Sequence, residues 1–164
     1  MAGKGAKKEA ENNAVANKKE EKSLFAVIRV RGPVNIRQDI EETLRLMRLN
    51  RVNHCVLVPN DPSHLGMLHK AEEYITWGEI NRQTLEKLLF KRGRDDGKGI
   101  EKSKAAELAK KIFAAGRLAK DLNLNPVFRL NTPSKGYKPI RRYYPKGALG
   151  YRGKEINTLL KRMV

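Results

Sequence analysis

Residues 24–40 read LFAVIRVRGPVNIRQDI, and the fold turns on how they are divided. The first part is rich in β-branched and aromatic residues and stops at Gly32-Pro33, so it reads as a strand. Leu24, Ala26, Ile28 and Val30 share one apolar face. Phe25, Val27, Arg29 and Arg31 share the other, which turns cationic along its length. Asn35 then reads as an N-cap, with Gln38 three residues on completing a capping box. Ile36, Ile40, Thr43, Leu44 and Met47 follow at helical spacing, and Asn50 is a reasonable stop.

The same alternation repeats outward from this unit. HCVLV (54–58) is a second, buried strand, and the turn Pro59-Asn60-Asp61-Pro62-Ser63 leads into a second helix. That helix turns Leu65, Leu68, Ala71 and Tyr74 or Ile75 inward. ITWGEI (75–80) reads as a third strand, and Arg82 to Arg92 as a third helix with Leu85, Leu88 and Leu89 on one side. The order is β-α-β-α-β-α, an α+β core over residues 24–94. A sheet this small, with all its helices on one face, would leave its other face free.

Beyond DDGKG, residues 103–122 read as a helix, with Leu108, Ile112, Ala115, Ala119 and Leu122 on one stripe. Gly116 inside it costs up to ~1 kcal/mol relative to Ala, so this helix depends on docking. Ile156, Leu159, Leu160 and Met163 make a short amphipathic helix, with Lys154, Lys161 and Arg162 outward. Residues 95–164 are thus an extension of helices and irregular basic chain docked on the core. Residues 1–23 hold almost nothing large and apolar, and read as a flexible tail that the fold does not need.

Lys and Arg number 35 against 18 Asp and Glu, a net charge of +17 in 164 residues, which points to a polyanionic partner. Residues 126–164 carry ten basic side chains and one acidic, more than half of that excess. Leu24 to Ile28, the longest unbroken aliphatic and aromatic run, is far too short to span a bilayer, so no membrane role is expected. The start lacks the apolar core of a secretory signal. The single cysteine, Cys55, excludes a disulfide framework, and with His54, His64 and His69 it suggests no metal site. No cofactor or small-molecule substrate is implied, and a reducing, cytoplasmic location is the simplest reading.

The segment Phe128 to Gly153 has seven basic residues, five aromatic rings, four Gly, three Pro and no acid. It cannot be a regular helix, but it suits RNA. Arg129, Lys135, Lys138, Arg141, Arg142, Lys146 and Arg152 would neutralise phosphates and release counterions. Tyr143 and Tyr144 would stack on unpaired bases. A plainer reading is a solvated loop whose tyrosines pack on the body. Arg29, Arg31 and Arg37, at the corner of the first strand and helix, form a second cationic group beside a helix N-terminus that favours anions. Arg45 and Arg48 continue the Arg37 face, unless Glu41 pairs with Arg37 and Arg45.

Taken in order, FAVIRVRG, HCVLVPNDPSHLGMLHKAEEYITWGEI, TLEKLLFKRGR, PVFRLNTPSKGYK and GALGYRGKEINTLLKRM resemble one family. It is the L-thirty family of large-subunit ribosomal proteins, in its archaeal branch, which is similar to eukaryotic ribosomal protein L-seven. The resemblance runs from about Leu24 to Met163. It implies a small three-stranded antiparallel sheet, order 3-1-2, with helices on one face, a relative of the ferredoxin-like fold. It also implies a structural part in the large subunit: binding large-subunit rRNA, with 5S rRNA a further candidate, beside neighbouring ribosomal proteins. It adds Lys70 and, more weakly, His69 to the RNA-facing residues.

Three other readings compete. A chromatin-type nucleic-acid binder fits the charge, but the interspersed Tyr, Gly and Pro suit irregular RNA better. A ribosome-biogenesis factor of the same family is the second. The third is an acylphosphatase-like enzyme, since RVRGPVNIRQD faintly resembles that phosphate loop, with Arg37 as its arginine. Pro33 and Asn35 stand where that loop is Gly-rich, so no catalytic residue is assigned.

Overall fold

Six consecutive buried residues, Leu24–Arg29, form β1, the central strand of the computed structural model, which describes residues 24–95, 97–116 and 124–164. The chain continues through α1 (Gln38–Leu46), β2 (His54–Pro59), α2 (Pro62–Lys70), β3 (Ile75–Glu79) and α3 (Arg82–Arg92). A small ribbon of β4 (Arg94–Asp95) and β5 (Lys98–Gly99) precedes α4 (Lys102–Ala115). Two short strands, β6 (Val127–Arg129) and β7 (Gly150–Tyr151), lead to a 3-10 turn (Gly153–Glu155) and α5 (Ile156–Met163).

The three strands expected from the sequence stand with β1 in the middle and antiparallel to both neighbours: Ala26 faces Leu57 on β2 and Gly78 on β3. They are not the whole sheet. β6 adds to β2 antiparallel, Cys55 opposite Phe128, and β7 adds to β3 in parallel, Thr76 opposite Gly150. The sheet is therefore five-stranded and mixed, order β6-β2-β1-β3-β7, rather than a three-stranded 3-1-2 sheet. The added strands are three and two residues long, too short to show an alternating pattern.

Both faces of the sheet are covered, which corrects the expectation of helices on one side. Leu24, Ala26, Ile28 and Leu57 pack beneath α3, α4 and α5, against Leu85, Leu88, Ala109, Ile112, Ile156 and Leu160. Phe25, Val27, Val56 and Val58 pack beneath α1 and α2, against Ile40, Leu44 and Leu68. The reason lies in β1 itself. Phe25 and Val27 make its second face as apolar as its first over four residues, and a strand apolar on both faces is a buried one.

Two helix boundaries also move. Asn35 is not an N-cap: it sits in a turn at φ 53, Arg37 occupies the cap position, and no side chain caps α1. Asn tolerates the left-handed region better than most residues, which is the use made of it here. The helix read over 103–122 spans Lys102–Ala115 instead, and Gly116, at φ 66, closes it as a left-handed C-cap. The expectations for the 1–23 tail, Ala119 and Leu122 lie outside the described residues.

Candidate nucleic-acid interface

The β6–β7 connection sets the geometry. β6 and β7 are the outermost strands, so the chain between them, residues 130–149, must cross one whole end of the sheet. It does so as a strap fastened at intervals. Leu130 N–H donates to Asn53 O at 3.0 Å, and Asn131 N–H to Met163 O at 3.1 Å. Arg162 reaches back from α5, donating to Ser134 O at 2.8 Å and Gly136 O at 2.8 Å. The Tyr137 hydroxyl donates to Asn53 Oδ1 at 2.6 Å, and burial pushes its phenol pKa up.

Residues 142–149 close into a tight loop: Tyr144 N–H donates to Leu149 O at 2.9 Å, and Leu149 N–H to Arg142 O at 3.2 Å. A Cβ at Gly147 would run into the Arg142 carbonyl, so only glycine fits there. Arg152 braces this loop from below. Its Nε donates to Thr76 Oγ1 at 2.8 Å, one Nη to Ala148 O at 3.0 Å, and its guanidinium lies 5.1 Å from the Tyr144 ring centre. Burial lowers its pKa, while Tyr144 and Tyr137 act in the opposite direction.

These fastenings sort the candidate residues. Lys135, Lys138, Arg141, Arg142 and Lys146 are exposed, and none is paired with a carboxylate among the described residues. Lys138 donates to Pro145 O at 3.0 Å, so it is partly held. Tyr143 is 50% exposed, its ring free to meet a partner. Tyr144 and Arg152 cover one another instead, so both are bracing groups here rather than open contacts.

At the other corner Arg29 departs from the expectation for it. It is 2% exposed, with Nε donating to Arg31 O at 2.9 Å and Nη1 to Leu49 O at 2.7 Å. Its position on the Phe25–Val27 face points it under α1, where burial lowers its pKa and Glu41 partly offsets that. Arg29 ties the end of β1 to the chain leaving α1, and its guanidinium is out of reach of RNA. Arg31 is half-buried over the Tyr74 ring, 4.8 Å from its centre, and Arg37 is exposed. Arg37 lies 3.6 Å from Asp39, not paired with Glu41. Asp39 also accepts from Ile40 N–H at 3.0 Å, so a carboxylate already serves the α1 N-terminus. Lys70 is exposed but ends α2 rather than starting it, where the helix dipole favours a cation. His69 is exposed beside it, with its ring edge-on to Trp77.

The strap brings the two candidate groups together. Arg31 and Arg141 line one shallow hollow of 260 Å³, with Val30 and Gly32 at its base and Val34 and Ile140 beside them. Val34 and Ile140 are apolar and exposed, an arrangement suited to a flat base flanked by phosphates. Arg129, exposed on β6, lies with a different set: Lys91, Arg92 and Arg94 share a cleft with it. The signal for that set was KRGR at the end of α3, which a helix-boundary reading treats only as a stop.

Comparison with known proteins gives a consistent result. The family model described as ribosomal protein L30p/L7e matches residues 25–75. The chain is 44% identical over 151 residues to the large ribosomal subunit protein uL30 of Archaeoglobus fulgidus, covering 85% of this chain and 99% of that one. It is 42% identical over 152 residues to the protein of the same name from Methanococcus maripaludis, with the same two coverages. For the Nanoarchaeum equitans protein the values are 44% over 156 residues, 87% and 99%.

Proposed function

The chain belongs to the ribosomal protein L30p/L7e family, in its archaeal branch, and from that premise we propose how it works in the large ribosomal subunit. It is a structural constituent of that subunit and not an enzyme. Its strap lies against rRNA, and its two-sided core holds the strap rigid. The similarity over 85% of the chain to uL30 proteins carries this reading. The physical support is the row of exposed cations on residues 135–146, none paired with a carboxylate among the described residues, and the half-exposed Tyr143 among them. Arg31, Arg37, Lys70, Arg129, Lys135, Lys138, Arg141, Arg142, Tyr143 and Lys146 are the proposed RNA contacts. Tyr144 and Arg152 serve by shaping the loop. Neighbouring ribosomal proteins complete the setting, and the ribosome is where the chain resides.

Sedimentation tests this directly. A tagged chain expressed in an archaeal cell is expected to travel with large subunits in equal numbers and to stay through a moderate salt wash. Accumulation in precursor particles alone would favour a biogenesis factor, and absence from both would sink the proposal. Crosslinking within the same particles reads whether 5S rRNA is among its contacts.

A further inference from the structure

On the opposite edge of the sheet from the β7 strand and the Arg142–Leu149 loop, a cleft of 510 Å³ lies beside β6. The last turn of α3 supplies Lys91 and Arg92, the β4–β5 ribbon supplies Arg94, and β6 supplies Arg129. Among the described residues no carboxylate lines it. Arg92 Nε is shut off from solvent and has no hydrogen-bond partner among the described residues. Leaving a charged donor in that state is costly, so the guanidinium gains by turning outward when an acceptor enters the cleft.

The backbone around the cleft is arranged for close approach. A Cβ at Gly93 would collide with the Leu89 carbonyl, so glycine there is demanded from inside the protein. At Gly99 the situation reverses: a Cβ would meet nothing within 4 Å, and the backbone has no positive φ to require glycine. The space over Gly99 is therefore open on the cleft's wall. The Arg94 carbonyl accepts from Asn125 N–H at 3.1 Å, which ties the ribbon to the chain entering β6 and fixes the cleft's width.

We propose that this cleft is a second RNA site, seating the phosphodiester backbone of a strand that runs along the outer edge of β6. The proposal rests on the rRNA-binding reading above, and it adds a surface separate from the strap. Four cations lining one cleft, with no carboxylate among its described lining residues, select a polyanion, and arginine forks match phosphate oxygens in pairs. The lining is predominantly polar and lacks an exposed aromatic ring, so it holds backbone and reads no base. With one basic surface along the end of the sheet and another on its β6 edge, the protein would bridge two RNA segments.

The test is filter binding of the full chain to in vitro transcribed Archaeoglobus fulgidus large-subunit rRNA across a salt series, with hydroxyl-radical footprinting. Lys91 and Arg94 are exposed, so the double variant Lys91→Gln/Arg94→Gln should keep the thermal midpoint of the parent. It is expected to bind about tenfold more weakly, with the slope of log affinity against log salt reduced by roughly 1.4–1.8, the value for two lost phosphate contacts. It should also lose a set of protected nucleotides distinct from those lost in Arg141→Gln/Arg142→Gln. If the cleft variant binds with the parent's affinity and slope while the strap variant loses both, the cleft proposal is overturned and the rRNA reading stands. If the parent itself prefers this rRNA no more than a random RNA of equal length, the rRNA reading falls and the cleft with it.

Discussion

Arg29 ends β1 and Arg31 lies two residues beyond it, yet one is sealed under a helix and the other reaches the surface. Replacing Arg29 by Met keeps its stem but strips the Leu49 and Arg31 carbonyls of their donor, which should cost about 2–3 kcal/mol in denaturant unfolding. Arg31→Gln should cost little stability and weaken rRNA binding, and equal loss of stability in both variants would contradict the assignment. Tyr143 and Tyr144 separate by the same pair of measurements. Tyr143→Ala should cost ~1–3 kcal/mol in RNA affinity with an unchanged salt slope, since stacking carries no counterion release. Tyr144→Ala should lower the melting temperature of the free protein, because it uncovers Arg152. His54 gives a pH signature. Burial, then the charges of Arg129, Arg51 and Arg29, lower its pKa below the ordinary 6.5. The unfolded chain therefore takes up the proton first, and stability present above pH 6.5 falls as the pH drops through 6.5 towards the folded value. His54→Gln should flatten that part of the stability profile measured by thermal melts.

The elements show what a single chain reveals and what it conceals. The positions of β1, β2, β3, α3 and α5 were legible, because period and length leave little choice for runs such as HCVLV or ILLM spaced over two turns. The second covered face of β1 was legible in principle, in Phe25 and Val27, but two arginines further along outweighed them. One of those arginines was buried, and nothing local distinguishes a buried Arg from an exposed one when its buried partner is a carbonyl 20 residues away. β6 and β7 could not be read, since strands of two or three residues exist only through their pairing partners. Much of the site was legible for the opposite reason: seven cations without an acid need no structure to be noticed. Asn157, by contrast, looked like one more polar residue on α5. It is 4% exposed, accepts from Asn81 N–H at 2.8 Å and donates to the Glu79 and Lys154 carbonyls at 2.9 and 2.8 Å. It joins α5 to the start of α3. Asn157→Ala should cost about 2–4 kcal/mol, as several part-buried groups lose partners at once. Asn157→Asp keeps the acceptor but buries a carboxylate oxygen against the Glu79 and Lys154 carbonyls, and should be at least as destabilised as Ala at neutral pH in the same unfolding curves.

At the level of the whole molecule, the strap from residue 130 to residue 149 joins the two outermost strands across one end of the sheet, and α5, which follows β7, is bonded to the strap's start through Met163 O and Asn131 N–H. The sheet and the strap are therefore one mechanical unit, and a change that loosens α5 should disturb the strap through Arg162 as well as the core. The closing of the sheet also depends on partners far apart in the sequence: β2 waits for residues 127–129, β3 for residues 150–151, and the Leu24–Ala26–Ile28 face for α4 and α5. A chain of residues 24–99 alone should bind the dye ANS strongly and self-associate, and failure to do either would show that the first three strands suffice. The order of synthesis gives this arrangement a consequence for the cell. Strands β1 to β3 emerge first, with the helices that cover only one of their faces. α3 then begins to cover the other face, but until α4 and α5 follow, that face stays partly bare, and such apolar surfaces stick to one another. Each copy thus passes through an interval in which it needs shelter, and the length of that interval is set by how fast translation reaches residue 163.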